Sequence, residues 1–404
     1  MSLFRSQARE EVSLIFDIGN GSVAASLIKF TEHNIPLVLY THREPLTFLP
    51  EPDAKHLQHT MLKLLRVLGK HAHKHGLVSL HHSWLNGPVI KHIHCFYSSP
   101  WFISHTKALT MSQPATFIVT DNVIDTLIAQ EKKEFLATIQ QGYYEQLFGN
   151  DIRLLEKNII HTKLNGYEIH EPIGKKARDV EVTFYLSFIS ETIINEVERA
   201  IHDSFGHHKI EHHSSALGSW VAIRAMFPGA SDFLSLDISG ETTDISFTNR
   251  GVLTETISIP VGRSTLIRHL VQSLAVPPEV ALSFLIMHSH KAVEESYAQK
   301  INTAVIDAMK DWQQQLLTAL KQLQKQYLVP KQVFVSAEMD LAPLFTEALK
   351  LPVPIDFSLP NNTFEVSLIG SEKVKPFIVP DHNVKIDPVL SLESIFVHSL
   401  TSGR

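Results

Sequence analysis

Apolar and polar residues alternate, then recur at threes and fours, in an order that the chain uses twice. Val12 to Ile18, Ala24 to Phe30 and Ile35 to Arg43 read as three strands of an antiparallel meander, and a helix from about Ala54 to His75 follows, with Leu57, Met61, Leu64, Leu65 and Leu68 on one face and Gly76 just past its end. Phe233 to Ile238, Asp244 to Thr248 and Val252 to Ile259 repeat the meander, and Val305, Met309, Trp312, Leu316, Leu320, Leu323 and Tyr327 mark a core-facing stripe on a helix from about Ala304 to Tyr327. Between the two lies a strand and helix mixture, from about Lys91 to Gly206, that reads as its own lobe. Its strands are Ala115 to Val119, Asn158 to Lys163 and Glu181 to Phe188; its helices start at Asp121 or Asn122 and at Ser190, and Gly206 ends the second. A helix near Ser215 to Met226 precedes the second meander, and Pro388 to Leu400 gives a last apolar helix that closes the fold.

The pattern divides the chain into a first half at 1–90, completed by 385–404, an inserted lobe at 91–212, and a second half at 213–384 with a short helical subdomain near 263–330. The length of 404 residues and 44% apolar content suit several packed cores. A net charge of −6 provides no basic face for nucleic acid, which is excluded as a partner. A single cysteine, Cys95, rules out an internal disulfide and fits a reducing cytoplasm. No apolar run reaches the roughly twenty residues of a membrane span, so membrane contact is expected to be peripheral or through a partner. Met1 to Arg9 reads as a frayed terminus.

Two short segments carry candidate chemistry. In Phe16-Asp17-Ile18-Gly19-Asn20-Gly21-Ser22-Val23 a strand ends at an acid and enters a turn with two glycines. Such a turn can offer backbone N–H groups to phosphate oxygens, with Ser22 adding a hydroxyl and Asp17 holding hydrated Mg²⁺; an ordinary hairpin turn explains the octapeptide equally well. Leu236-Asp237-Ile238-Ser239-Gly240-Glu241-Thr242-Thr243-Asp244 repeats the arrangement, and two such loops can grip one nucleotide from both sides. The 24 histidines, among them His71, His73, His75, His81, His82, His92, His94, His207, His208, His212 and His213, do not read as a metal site, since neighbours along a helix diverge and no cysteine joins them. No Gly-x-Ser-x-Gly elbow supports acyl chemistry.

These two loops, the Ile259-Pro260-Val261-Gly262 strand exit and the helix beginning at Ser215-Ala216-Leu217 resemble the actin-like ATPase superfamily, within it the branch of the bacterial cell-division protein FtsA and its relative PilM. The position of the inserted lobe, and its segment Leu164-Asn165-Gly166-Tyr167 through Pro172-Ile173-Gly174, resemble FtsA. The resemblance implies an α/β fold of the actin-like (ribonuclease H-like) duplicated type, two mixed-sheet halves with an inserted α+β subdomain of the SHS2 type. It implies ATP and Mg²⁺ as cofactors. Asp17 and Asp237 would act as the catalytic acids and hold Mg²⁺ through water; Gly19, Asn20, Gly21, Ser22, Gly240, Thr242, Thr243 and Asp244 would face the phosphates, and Ser336 and Ala337 the adenosine.

The sequence departs from that pattern where Ser239 and Glu241 replace glycines and where Val335-Ser336-Ala337-Glu338 has no glycine at the adenosine turn, so a slow or vestigial ATPase at most is expected. The implied role is a cytoplasmic scaffold at the inner face of the cell membrane, self-associating, with an FtsZ-like tubulin homologue as partner. The alternatives are a PilM-like component of type IV pilus assembly, which binds a single-span membrane protein, and a small-molecule kinase on the same fold.

Overall fold

The computed structural model describes residues 11–31, 34–51, 53–78, 89–139, 151–292, 295–352, 357 and 363–402. Met1 to Arg9, His81 and His82 lie outside these. The first meander is β1 (Glu11–Ile18), β2 (Ser22–Thr31) and β3 (Asn34–Pro45), all antiparallel. Strand alternation puts Leu14, Phe16 and Ile18 on one face and Ile15 on the other, and all four are buried because helices cover both faces. Helix α1 (Ala54–His71) starts where the Asp53 side chain accepts the His56 N–H at 2.8 Å, and continues into a π-helical turn, Ala72–Leu77.

The chain then returns to the same sheet through β4 (Val89–Tyr97), parallel to β1. The lobe therefore does not begin at residue 91: Ile93, Cys95 and Tyr97 pack under α1 while Phe96 faces the opposite layer, as in a strand covered on both sides. The lobe itself is β5 (Phe102–Ile118), α2 (Asp121–Ile139), β6 (Ile152–Leu164), β7 (Tyr167–Glu168) and β8 (Lys176–Ser190). The expected strand at Ala115 to Val119 is only the tail of β5. Asn165 and Gly166, with φ of 50° and 86°, make the two-residue turn from β6 to β7, a geometry that this residue pair favours.

The lobe also ends before residue 212. Helix α3 (Glu191–Phe205) packs on α1, approaching so closely that a Cβ on Gly69 would lie 2.9 Å from Ser204 Oγ. Strand β9 (Ile210–Ser214) pairs with β4. Helix α4 (Ser215–Met226) begins where Ser214 Oγ accepts the Leu217 N–H.

The second meander is β10 (Phe233–Ile238), β11 (Thr243–Asn249) and β12 (Val252–Ile259). Helices α5 (Arg263–Leu274), α6 (Pro278–Ser289) and α7 (Glu295–Gln324) follow, then β13 (Gln332–Ala337), α8 (Ala342–Lys350), β14 (Glu365–Leu368), α9 (Ser371–Val374), β15 (Val379–Pro380) and α10 (Pro388–Ser402). The α7 stripe faces the core: Val305, Met309, Trp312, Leu316, Leu320 and Leu323 are buried.

The strand orders β15-β3-β2-β1-β4-β9 and β12-β11-β10-β13-β14 are the same order with one strand added, so the two halves are copies of one fold; the lobe sheet runs β5-β8-β6-β7. This is the actin-like duplicated fold. Helix α10 closes the first half, with Leu390, Leu392, Ile395, Phe396 and Val397 buried against α4 and β1. No single helix among the described residues is long and apolar enough to cross a membrane.

Candidate functional site

The same turn ends the first strand of each half. Gly19 N–H bonds Ser22 O at 3.1 Å, and Ser239 N–H bonds Thr242 O at 3.0 Å. The two turns meet face to face between the halves. A Cβ on Gly21 would lie 2.6 Å from Gly240 N and 2.8 Å from its Cα, and one on Gly240 would lie 2.5 Å from Gly21 Cα, so only glycine fits either position.

Asn20 bridges the turns. Its Oδ1 accepts the Glu241 N–H at 2.7 Å, and its Nδ2 donates to Thr242 Oγ1 at 2.7 Å and to Ser99 O. Trp101 Nε1 donates to Gly19 O at 3.0 Å from the other side, while Arg263 N–H and Ser264 N–H bond Ser239 O and Gly240 O at 2.9 and 2.7 Å. Arg268 holds Glu241 through its two terminal guanidinium nitrogens, Nη2 at 2.6 Å and Nη1 at 3.2 Å.

A cleft of about 590 Å³ lies beside the joined turns. Asp17, Gly19, Gly21 and Ser22 line it from the first half, and Asp237, Gly240, Ser336 and Ala337 from the second. Asn20, Thr242, Thr243 and Asp244 do not. Thr243 Oγ1 donates to Val261 O at 2.7 Å and accepts from Trp312 Nε1 at 3.0 Å, inside the second half. Asp244 faces the lobe, where it accepts the Ser99 N–H at 3.1 Å; burial pushes its carboxyl above the ordinary range. The expectation places these four at the phosphates; in this structure their side chains join the turns, pack β11 and bond Ser99.

Arg43, which the motif reading passed over, dominates the electrostatics. Its Nη1 donates to Asp17 Oδ2 and to Ser22 Oγ at 2.7 and 2.8 Å, and its Nε and Nη2 take the two oxygens of Asp387 at 2.7 and 3.0 Å. The strand register allows this: Asp17, Ala24 and Arg43 form one row across β1, β2 and β3, and the small middle residue leaves the guanidinium room to reach. Burial raises the Asp17 carboxyl against the pull of Arg43. Burial also raises Asp387, but there Arg43 and the N–H groups of Val389 and Leu390 win and hold it below its ordinary value.

The equivalent row in the second half is Asp237, Asp244 and Ser258, with no cation. Burial, then Asp244 and Asp17, push the Asp237 carboxyl up to about 8. Glu393 on α10, buried with neither oxygen hydrogen-bonded to protein, is pushed well up by burial and by Asp17.

The turn after β13 is crossed by a strut: Arg263 bonds Glu338 and reaches Gly21 O at 3.4 Å. An ATP–Mg²⁺ complex does not fit these residues as they stand. The Glu241 N–H that could meet a phosphate is taken by Asn20, Asp17 is paired with Arg43, and the Arg263 and Glu338 side chains cross the adenosine turn.

Sequence reasoning missed Arg43, Asp387, Trp101 and Arg263. Two signals were present: Asp387-Pro388 before an apolar helix is a helix-start signature, and extending the meander register from the Gly19 turn sets Arg43 in the row of Asp17.

No protein-family model matches the sequence, and no curated protein sequence matches it. Solved structures match the fold. A PilM–PilN type IV pilus biogenesis complex aligns with a TM-score of 0.62 at 11% identity, covering 97% of this chain and 98% of that one. The ethanolamine utilization protein EutJ of Carboxydothermus hydrogenoformans aligns at 0.42 and 13% identity, covering 96% and 89%. The cytoplasmic domain of EpsL, from the Vibrio cholerae type II secretion system, aligns at 0.36 and 9% identity, covering 97% and 95%.

Proposed function

We propose that this chain is an actin-like scaffold in the assembly of an envelope machine of the pilus kind, and that it works by gripping a single-span membrane protein rather than by turning over ATP. The observation that carries the reading is the joined pair of turns, in which Asn20 bonds the Glu241 N–H and Gly21 lies against Gly240. A nucleotide-driven machine or a small-molecule kinase needs those backbone groups free for phosphate. The fold is that of a protein solved as a PilM–PilN complex, which supports a protein partner. On this reading the chain sits at the inner face of the cell membrane through that partner.

Two measurements test the proposal. Calorimetric titration with ATP–Mg²⁺ at millimolar concentration is expected to give no heat of binding. Co-purification with the membrane proteins encoded beside it is expected to recover a single-span protein through its cytoplasmic segment. Saturable ATP binding, with hydrolysis that Asp237→Ala abolishes, overturns the scaffold reading. Recovery of a tubulin-like GTPase instead moves the scaffold to cell division and the FtsA side of the resemblance.

A further inference from the structure

Away from the cleft, at the edge of the first sheet, the parallel register of β4 and β9 sets His94 opposite Glu211 and Phe96 opposite His213. Histidines two apart on a strand share a face, unlike those on a helix, so His92, His94, Glu211 and His213 converge where the sequence reading expected them to diverge. His94 Nδ1 lies 3.2 Å from His213 Nε2 and 3.7 Å from Glu211 Oε2, and one ligand atom from each of the three residues falls within 4.8 Å of the others. Zinc bound tetrahedrally at its usual bond lengths separates neighbouring ligand atoms by about 3.3–3.5 Å. The spacing of the protein donors already approximates that edge.

The surroundings also match a metal centre. His213 turns its other nitrogen, Nδ1, to within 3.5 Å of Glu156 Oε1, the arrangement of a carboxylate that orients a metal-bound imidazole. Glu156 is itself fixed through its second oxygen, which accepts from Ser214 Oγ at 2.6 Å and Ser187 Oγ at 3.1 Å. Two buried polar atoms here have no hydrogen-bond partner: Glu156 Oε1 and His92 Nδ1, the latter 3.6 Å from Glu211 Oε1. Lys209 Nζ, 3.2 Å from the same Glu211 oxygen, is the nearby cation and lies at the exposed rim.

We propose that His94, His213 and Glu211 bind a divalent transition metal of the zinc type, which leaves its fourth position for water. Two imidazoles and a carboxylate form a donor set suited to zinc and cobalt and unsuited to Mg²⁺ or Ca²⁺. The ion would clip the edge strand β9 to β4. Because Glu156 belongs to β6, it would also tie the lobe to the first half. The site is independent of the cleft and of the scaffold reading.

The test uses the full, untagged chain stripped with chelator and titrated with Co²⁺, whose tetrahedral complexes absorb visible light. One equivalent is expected to saturate an absorption band that Zn²⁺ then abolishes. His94→Gln and the half-exposed Glu211→Gln are expected to weaken binding at least about a hundred-fold, and Glu156→Gln about ten- to a hundred-fold. His212→Gln is the control, because His212 faces the other side of β9 toward Tyr97 and Glu198, at 2.9 and 3.0 Å, and should leave the affinity unchanged. Circular dichroism melts verify that each variant is folded. Absence of a one-equivalent site in the folded wild type overturns the proposal, as does unaltered binding by folded Glu211→Gln.

Discussion

Replacing Asp237 by Asn removes an acid that the fold keeps protonated. Its carboxyl is pushed to about 8 by burial first and by Asp244 and Asp17 next, and the row it occupies contains no cation. Between its unfolded value near 4 and about 8 the folded protein holds a proton that the unfolded chain has lost. Stability therefore falls as pH rises through that window, by up to about 1.4 kcal/mol per pH unit, and levels off above it. The full shift corresponds to about 5–6 kcal/mol. Asp237 lines a cleft of about 590 Å³ that is open to water, and screening there reduces the cost to about 2–3 kcal/mol.

Asn has nearly the same size and never ionises. Urea unfolding should find the stability of Asp237→Asn relative to wild type rising by about 2–3 kcal/mol between about pH 4 and about pH 8. The difference between the two proteins isolates this residue, since Asp17, Asp244 and Glu393 titrate in both. A variant less stable than wild type at the higher pH, or a difference that does not change with pH, refutes the reasoning and would mean that the ionised carboxylate is part of the working structure.

Arg43→Met leaves Asp17 and Asp387 buried beside each other without a counter-charge, and should cost about 3–5 kcal/mol at neutral pH. The deficit, read from urea midpoints, should shrink in acid: Asp387 is held below its ordinary value, so the stability it contributes is present above about pH 4 and is lost as pH falls through its folded pKa. Gly21→Ala forces the two turns apart, because the new methyl meets Gly240 backbone that has no soft side chain to move; thermal melting should show a loss of about 1–3 kcal/mol. Trp101→Phe deletes the hydrogen bond to Gly19 O and should cost about 1 kcal/mol by urea unfolding.

The duplicated meander was legible because both copies are buried by the same rules: Phe16 and Leu236, or Ala25 and Ile245, are apolar at strand positions whose period of two survives any change of neighbours. The lobe boundaries were not. Residues 89–97 form a strand that the sequence did not single out, and nothing local states that its partner is β1 rather than the strands that follow it. The cleft was half legible. Glycines at Gly19, Gly21 and Gly240 announced a close backbone approach, but one glycine pattern serves a turn that meets a phosphate and a turn that meets another turn. Which of them occurs is decided by Asn20 reaching Glu241, a contact between residues of different halves, 221 positions apart in the chain. The histidine face was misread for a simpler reason, the use of a helical period on residues that form strands.

In a two-halved fold with a ligand-sized cleft between the halves, something must hold the halves in register. Here the protein supplies that connection itself, at several points. Asn20, Arg263 and Arg268 cross from turn to turn or clamp the turns in place. The lobe adds a third bridge: Ser104 Oγ meets Thr256 Oγ1 at 2.8 Å and Thr106 Oγ1 donates to Leu253 O at 3.2 Å, both on β12 of the second half, while Ser99 N–H holds Asp244. Each bond is worth only about 1 kcal/mol, yet they act on the same relative motion, so opening the cleft requires breaking them together. Only glycine fits at Gly21 and Gly240, because the two turns touch.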